Sequence, residues 1–245
     1  MVRSLFSSLG LAAVAAGALS ACTIVTNPPP SGPAAPAPVP AGNRSNVPVA
    51  GAATTAPAVA GTLPTTATGS NGPKVTVDGK EYTTVSRAIA WGSGDKNLPF
   101  KGFVYFTNGA NTTLPNFDAA TPVGVLFTSS FAASASPYAD AFPGIDATRT
   151  DHFAIRYEGA FLAPMQGDYI FKIESDDGSR LIIDSLPLLT NDGIHGVTAK
   201  SASVKLAPGP HNFRLEYFQG ARSGAALKLS VTPPGGAEKP FGPVI

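Results

Sequence analysis

The chain has 245 residues and near-balanced charge, 17 Lys and Arg against 16 Asp and Glu for a formal net charge of +1. That balance leaves no electrostatic footprint for nucleic acid or an anionic surface as partner. A single cysteine, Cys22, rules out any disulfide within the chain.

The first residues read as an export signal. Arg3 precedes an apolar run from Leu5 to Ala18 that is rich in Leu, Ala, Val and Gly. The run falls short of the ~20 apolar residues a transmembrane helix needs and fits the apolar region of a secretory signal. Leu19-Ser20-Ala21-Cys22 follows and looks like a bacterial lipobox. Residues 1–21 are therefore expected to be a lipoprotein signal peptide, with Cys22 lipidated. Several acyl chains hold a protein stably to a bilayer, where one does not. Thr23, rather than Asp, follows the cysteine, which predicts sorting to the cell outer membrane if the host is Gram-negative.

Residues 22–73 form a Pro- and Ala-rich linker with Arg44 as its only charge. Pro28-Pro29-Pro30 and Pro36-Ala37-Pro38 favour extended backbone. So few large apolar side chains cannot offset the entropy of ordering, which predicts a disordered tether.

Composition changes near Lys74, and residues 74–245 are long enough to bury a sizeable core. Residues 75–82 predict a hairpin with Asp78-Gly79 at its turn. Strands are predicted at 100–106, 123–128 and 153–157. Tyr169, Phe171 and Ile173 alternate with Ile170, Lys172 and Glu174, and Leu181 and Ile183 repeat the pattern after Ser175-Asp176-Asp177-Gly178. That is the period of a strand with one buried face, and it predicts strand, tight turn, strand as a central hairpin. Further strands are predicted at 204–206, 212–218 and 226–231. Residues 107–147 carry little pattern and predict loops with a short helix at most. Many short strands with Gly, Pro and Asp turns and no long helical period predict an all-β antiparallel sandwich or barrel.

The turn invites a chemical reading. Asp and Gly both favour turns, but one Asp suffices for that. Two adjacent carboxylates could form one arm of a calcium site, because Ca²⁺ takes several hard oxygen ligands. Asn191-Asp192-Gly193 reads as a turn whose side chains cap backbone. His195 and His211 lie by loops without metal-ligand spacing and are expected to face solvent. Trp91, the only Trp, is expected to be buried more than to stack on a sugar.

Taken together, residues 153–159, Gly167-Asp168-Tyr169-Ile170-Phe171, Ser175-Asp176-Asp177-Gly178-Ser179-Arg180-Leu181, Asn191-Asp192-Gly193-Ile194-His195, Leu206-Ala207-Pro208-Gly209 and Tyr217-Phe218-Gln219-Gly220 resemble, in order and spacing, the family named after anthrax protective antigen (the PA-fourteen domain). Residues 101–106 are similar to that family's first strand. The resemblance implies a β-sandwich or barrel. In sugar-binding members the paired aspartates are joined by a cis peptide, both bind one Ca²⁺, and sugar hydroxyls complete the coordination. Carried onto this chain, the metal ligands would be Asp176 and Asp177, with the Gln219 side chain and the Ala221 carbonyl as further candidates. Asn191, Asp192 and Arg222 would be candidate contacts to the sugar.

No Gly-x-Ser-x-Gly elbow, zinc motif or phosphate loop is visible. Adjacent aspartates do not supply the two separated carboxylates of a glycosidase, so no catalytic residues are assigned. The expected function is a calcium-dependent, lectin-like lipoprotein whose partners are cell-surface or exopolysaccharide glycans. The alternative is a non-enzymatic structural module that binds envelope proteins.

Overall fold

The computed structural model describes residues 71–109, 111–135, 140–221 and 224–245. Residues 1–70, with the signal peptide and Cys22, and Arg222 lie outside them.

The described residues form thirteen strands: β1 Lys74–Val77, β2 Lys80–Thr83, β3 Phe100–Phe106, β4 Gly124–Thr128, β5 Ala132–Ala135, β6 Phe153–Ala163, β7 Gly167–Asp176, β8 Ser179–Ile183, β9 Leu186–Asn191, β10 Thr198–Leu206, β11 Gly209–Gln219, β12 Ala225–Thr232 and β13 Lys239–Pro240. They form an antiparallel sandwich. One sheet has the order β4-β3-β6-β11-β8-β9, and the facing sheet has the order β10-β7-β12-β13 with β5 also on β12. A separate hairpin, β1-β2, turns at Asp78 and Gly79, both with positive φ. This is the tight turn that Asp-Gly favours.

The alternation read from the sequence becomes the core. Tyr169, Phe171 and Ile173 of β7 and Leu227, Leu229 and Val231 of β12 face inward, opposite Phe213, Leu215 and Tyr217 of β11. Trp91 is buried at 2 % exposure, stacked on Tyr217 with ring centroids 4.9 Å apart, as the sequence led one to expect. The outer face of the six-stranded sheet is half covered. The β1-β2 hairpin and the 111–120 segment place Val77 and Phe117 over Phe103, Tyr105 and Phe127.

Three expectations need correction. β7 and β8 are not a hairpin: β7 pairs with β10 and β12, and β8 pairs with β11 and β9. The Asp176–Gly178 turn is instead a corner carrying the chain from one sheet to the other. The alternation looks the same in both cases, because each half turns its apolar side to the shared core. Among the described residues of 107–147 there is no helix; β5 is there instead. Its Ala-Ala-Ser-Ala sequence has no apolar contrast to betray a strand. His211 does not simply face solvent. It packs against Phe161, with ring centroids 5.6 Å apart, and its side chain is 12 % exposed.

His211 also ties the far end of the sandwich together. Its Nδ1 lies 2.5 Å from the Asp184 carboxylate and its Nε2 2.9 Å from the Ala207 carbonyl. Burial alone would lower its pKa; the hydrogen bonds to Asp184 and Ala207 and the Asp184 charge outweigh burial and hold it above the ordinary 6.5. A histidine with a raised folded pKa binds its proton more tightly when folded. Its stabilisation is therefore full below about pH 6.5 and fades as pH rises through the raised value. Melting curves of wild type and His211→Gln should differ most in mild acid and converge in alkali. A gap that does not change with pH would contradict this.

Candidate functional site

The corner between β7 and β8 gathers most of the polar residues singled out in the sequence. Tyr217 and Gln219 lie at the end of β11, beside β8 and β6. Asn191 closes β9 opposite Ser179. The peptide bond between Asp176 and Asp177 is cis, the geometry that the resemblance implied. Both side chains are buried, at 7 % and 2 % exposure.

The two carboxylates are treated very differently. Asp177 is saturated by donors: the His195 amide gives to Oδ1 at 3.0 Å, and the Gly220 amide at 2.9 Å and Gln219 Nε2 at 3.2 Å give to Oδ2. Asp176 Oδ1 is buried and has no hydrogen-bond partner. Burial and the neighbouring Asp177 charge push the Asp176 carboxyl above its ordinary value, with His195 opposing weakly. A buried, unpaired carboxylate oxygen is costly, and a cation is the partner such an oxygen lacks.

The cradle around the corner is built to close tolerance. A Cβ on Gly178 would come within 2.3 Å of the Phe218 ring and 2.8 Å of Asp192 Oδ1. A Cβ on Gly220 would sit 2.6 Å from Ile194 Cδ1 and 3.2 Å from Asp177 Oδ2. Only glycine lets these three loops converge on the aspartates.

The remaining candidates fall into place around them. Gln219 is 1 % exposed, and its Oε1 lies 2.6 Å from the Tyr217 hydroxyl. Both ends of its amide are thus engaged, one with Tyr217 and the other with Asp177. Ala221, two residues beyond β11, is exposed. Asn191 is buried, donating to Ser175 Oγ and to the Thr198 carbonyl, each at 3.0 Å. Asp192 is exposed and accepts from the amides of Leu114 and Gly193, both at 2.8 Å. Nothing in the sequence pointed to Leu114, whose amide brings the 111–120 loop against the corner. Nor did the sequence signal His195, whose backbone amide, not its ring, serves Asp177; its Nε2 lies 3.0 Å from the Asn191 carbonyl. Among the described residues no three His, Cys, Asp or Glu side chains form a metal-holding group. A cation at the corner would draw its further ligands from amide or backbone oxygens.

Residues 138–244 match the family model of the PA14 domain. That segment is similar to the PA14 family. No curated protein matches the chain. Among solved structures, the PA14 sugar-binding domain from an RTX adhesin is similar at 19% identity and TM-score 0.50, over 59% of this chain and 95% of that one. The PA14 domain of the MpAFP antifreeze protein is similar at 20% identity and TM-score 0.49, over 60% and 87%. An anti-sigma factor domain-containing protein is similar at 19% identity and TM-score 0.48; the chain covers 46% of its length, and it covers 60% of this chain. These likenesses concern the fold. The matched segment begins after β1 to β5, although β3 and β4 extend its larger sheet and the 111–120 loop abuts its corner.

Proposed function

We propose that this PA14-like domain is a glycan-binding module whose ligand is held through a Ca²⁺ at the Asp176–Asp177 corner. The observation that carries the reading is the buried, unpaired Oδ1 of Asp176 beside the buried carboxylate of Asp177. Calcium takes several hard oxygen ligands in a flexible sphere. Asp176 and Asp177 would supply the charge, and the Ala221 carbonyl and Gln219 amide are the neutral candidates. Bound calcium supplies open coordination positions for sugar hydroxyls. Exposed Asp192, and Arg222, which lies outside the described residues, are the candidate contacts to the sugar. Asn191, 1 % exposed with its amide nitrogen held by Ser175 and Thr198, does not take that role and braces the corner instead. The adhesin domain of the same fold, named as sugar-binding, supports this reading.

The reading is of a binding module rather than an enzyme. Two carboxylates on consecutive residues of one turn do not flank a scissile bond as the acid and base of a glycosidase do. The glycan would be cell-surface or exopolysaccharide, presented with the domain on a tether from a lipid anchor in the outer membrane. An array of immobilised glycans, probed with the full chain in calcium and again in EDTA, tests the function. Retention of any glycan that EDTA releases supports it. No retention, or retention that EDTA leaves unchanged, sinks the calcium-dependent reading.

The anchor has its own test. Mass spectrometry of the protein extracted from membranes should find Cys22 at the N-terminus carrying acyl chains, and Cys22→Ser should leave the domain soluble. An unmodified N-terminus elsewhere would overturn the lipoprotein reading.

A further inference from the structure

Strand β11 carries a second set of polar groups on its other face. Phe213, Leu215 and Tyr217 point to the core, and Arg214 and Glu216 lie on the outer side of the larger sheet. In the register of that sheet Arg214 stands opposite Ile182 of β8 and Glu158 of β6, and Lys101 of β3 stands opposite Glu158. One cross-strand row therefore runs Ile182, Arg214, Glu158, Lys101. A groove of about 560 Å³ opens over it, with Asn212 and Ser185 on its wall. That volume is in the range of a small-molecule site.

The charges along the row are unequally used. Glu158 is held by Arg156 at 2.8 Å, with Lys101 at 4.0 Å, and Lys101 is also paired with Asp78. Glu216 is held by Arg180 Nε at 2.7 Å. Arg214 approaches carboxylates only at 3.7 Å (Glu216) and 3.9 Å (Asp118), beyond hydrogen-bond reach. Its side chain is 38% exposed. Among the described residues the side chains of Arg214, Asn212 and Ser185 form no hydrogen bond. The groove thus holds one planar cationic fork without an acceptor, two neutral polar groups, one carboxylate already neutralised, and an apolar wall at Ile182 and Pro187.

We propose that this groove binds a carboxylate-bearing sugar unit, a hexuronate. The guanidinium fork matches a carboxylate with two parallel hydrogen bonds. Asn212 and Ser185 are free to bond ring hydroxyls, and the apolar wall meets the ring's C–H face. Glu158 lines the same groove and sets it against a dianionic phosphate, which selects one negative charge with many hydroxyls. The site is separate from the aspartate corner. Arg214 and Gln219 are about 17 Å apart along β11 at ~3.3 Å per residue, and they lie on opposite sides of the sheet. No metal is required.

The test is calorimetric titration of the full chain in EDTA with tetragalacturonate, with maltotetraose and acetate as comparison ligands. EDTA removes any calcium-dependent binding, so the result is independent of the reading of the aspartate corner. Tetragalacturonate should bind at least about tenfold more tightly than either comparison ligand. Arg214→Gln should weaken it by about tenfold or more at unchanged melting temperature. Asn212→Ala, which removes no hydrogen bond within the described protein, should weaken it less and guards against a folding defect in the first variant. Absence of tetragalacturonate binding, equal binding of maltotetraose or acetate, or binding indifferent to both variants would overturn the proposal.

Discussion

Replacing Phe241 by Ala is expected to cost about 3–5 kcal/mol of folding free energy, as a lowered urea midpoint with unchanged slope. Phe241 follows the two-residue strand β13 and would pass for a loop residue. Its ring is nevertheless 1 % exposed. Ring centroids of Phe213, Phe161 and Phe100 lie 5.0, 5.2 and 5.7 Å away, and Phe171 of the facing sheet lies 6.1 Å away. Its amide donates to the Leu229 carbonyl at 2.9 Å, which pins the backbone while the ring fills the sandwich. The surrounding rings come from both sheets and cannot all move inward, so the cavity would persist. Met165→Ala, at a side chain 48% exposed, should change stability by less than about 0.5 kcal/mol. If Phe241→Ala cost no more than Met165→Ala, the packing account of this core would be wrong.

The aspartate pair should respond asymmetrically to amide substitution in EDTA. Asp177 accepts from His195 on one oxygen and from Gly220 and Gln219 on the other. An Asn there must turn its NH₂ group toward one set of donors, in a buried place. That mismatch should cost about 1–3 kcal/mol. Asp176 Oδ1 has no donor to lose, and burial and the Asp177 charge already raise its carboxyl above 3.8. Asp176→Asn removes that unfavourable charge and should leave the melting temperature unchanged or raise it. Equal destabilisation by both variants would mean that the two carboxylates share one role, contrary to the hydrogen bonding described above.

Most of the sandwich was legible because its strands alternate cleanly. The inward side chains of β7, β11 and β12 are large and apolar, and their neighbours are mostly polar, charged or small, with Ile170 and Phe218 as the exceptions. β5 and most of β10 were not legible. β5 is Ala and Ser, and β10 is an exposed edge, so neither carries an apolar period. β9 was hidden by Pro187, which interrupts its pattern near the register shift beside Ile182. The change of sheet at the corner could not be read either. A strand with one apolar face looks the same whether the next strand pairs with it or crosses to the opposite layer. At the site, the sequence pointed to the aspartates through their adjacency, and the resemblance brought in Gln219. It could not separate the anchored Asp177 from the unpartnered Asp176. That difference is made by backbone amides of His195 and Gly220, and every residue except proline has such an amide. The groove around Arg214 was equally invisible, because it arises from cross-strand register among four strands distant in sequence.

Thermal unfolding of the full chain, taken from EDTA into excess calcium, reports whether a metal sits at the aspartate corner. A single site predicts a melting temperature that rises with calcium concentration. The stabilisation should reach about 2.7 kcal/mol at roughly 100 times the dissociation constant. Asp176→Asn and Asp177→Asn should each abolish the rise, the first from an undiminished starting temperature. A melting temperature that calcium does not move, or a rise that survives both substitutions, would contradict a calcium site at this corner.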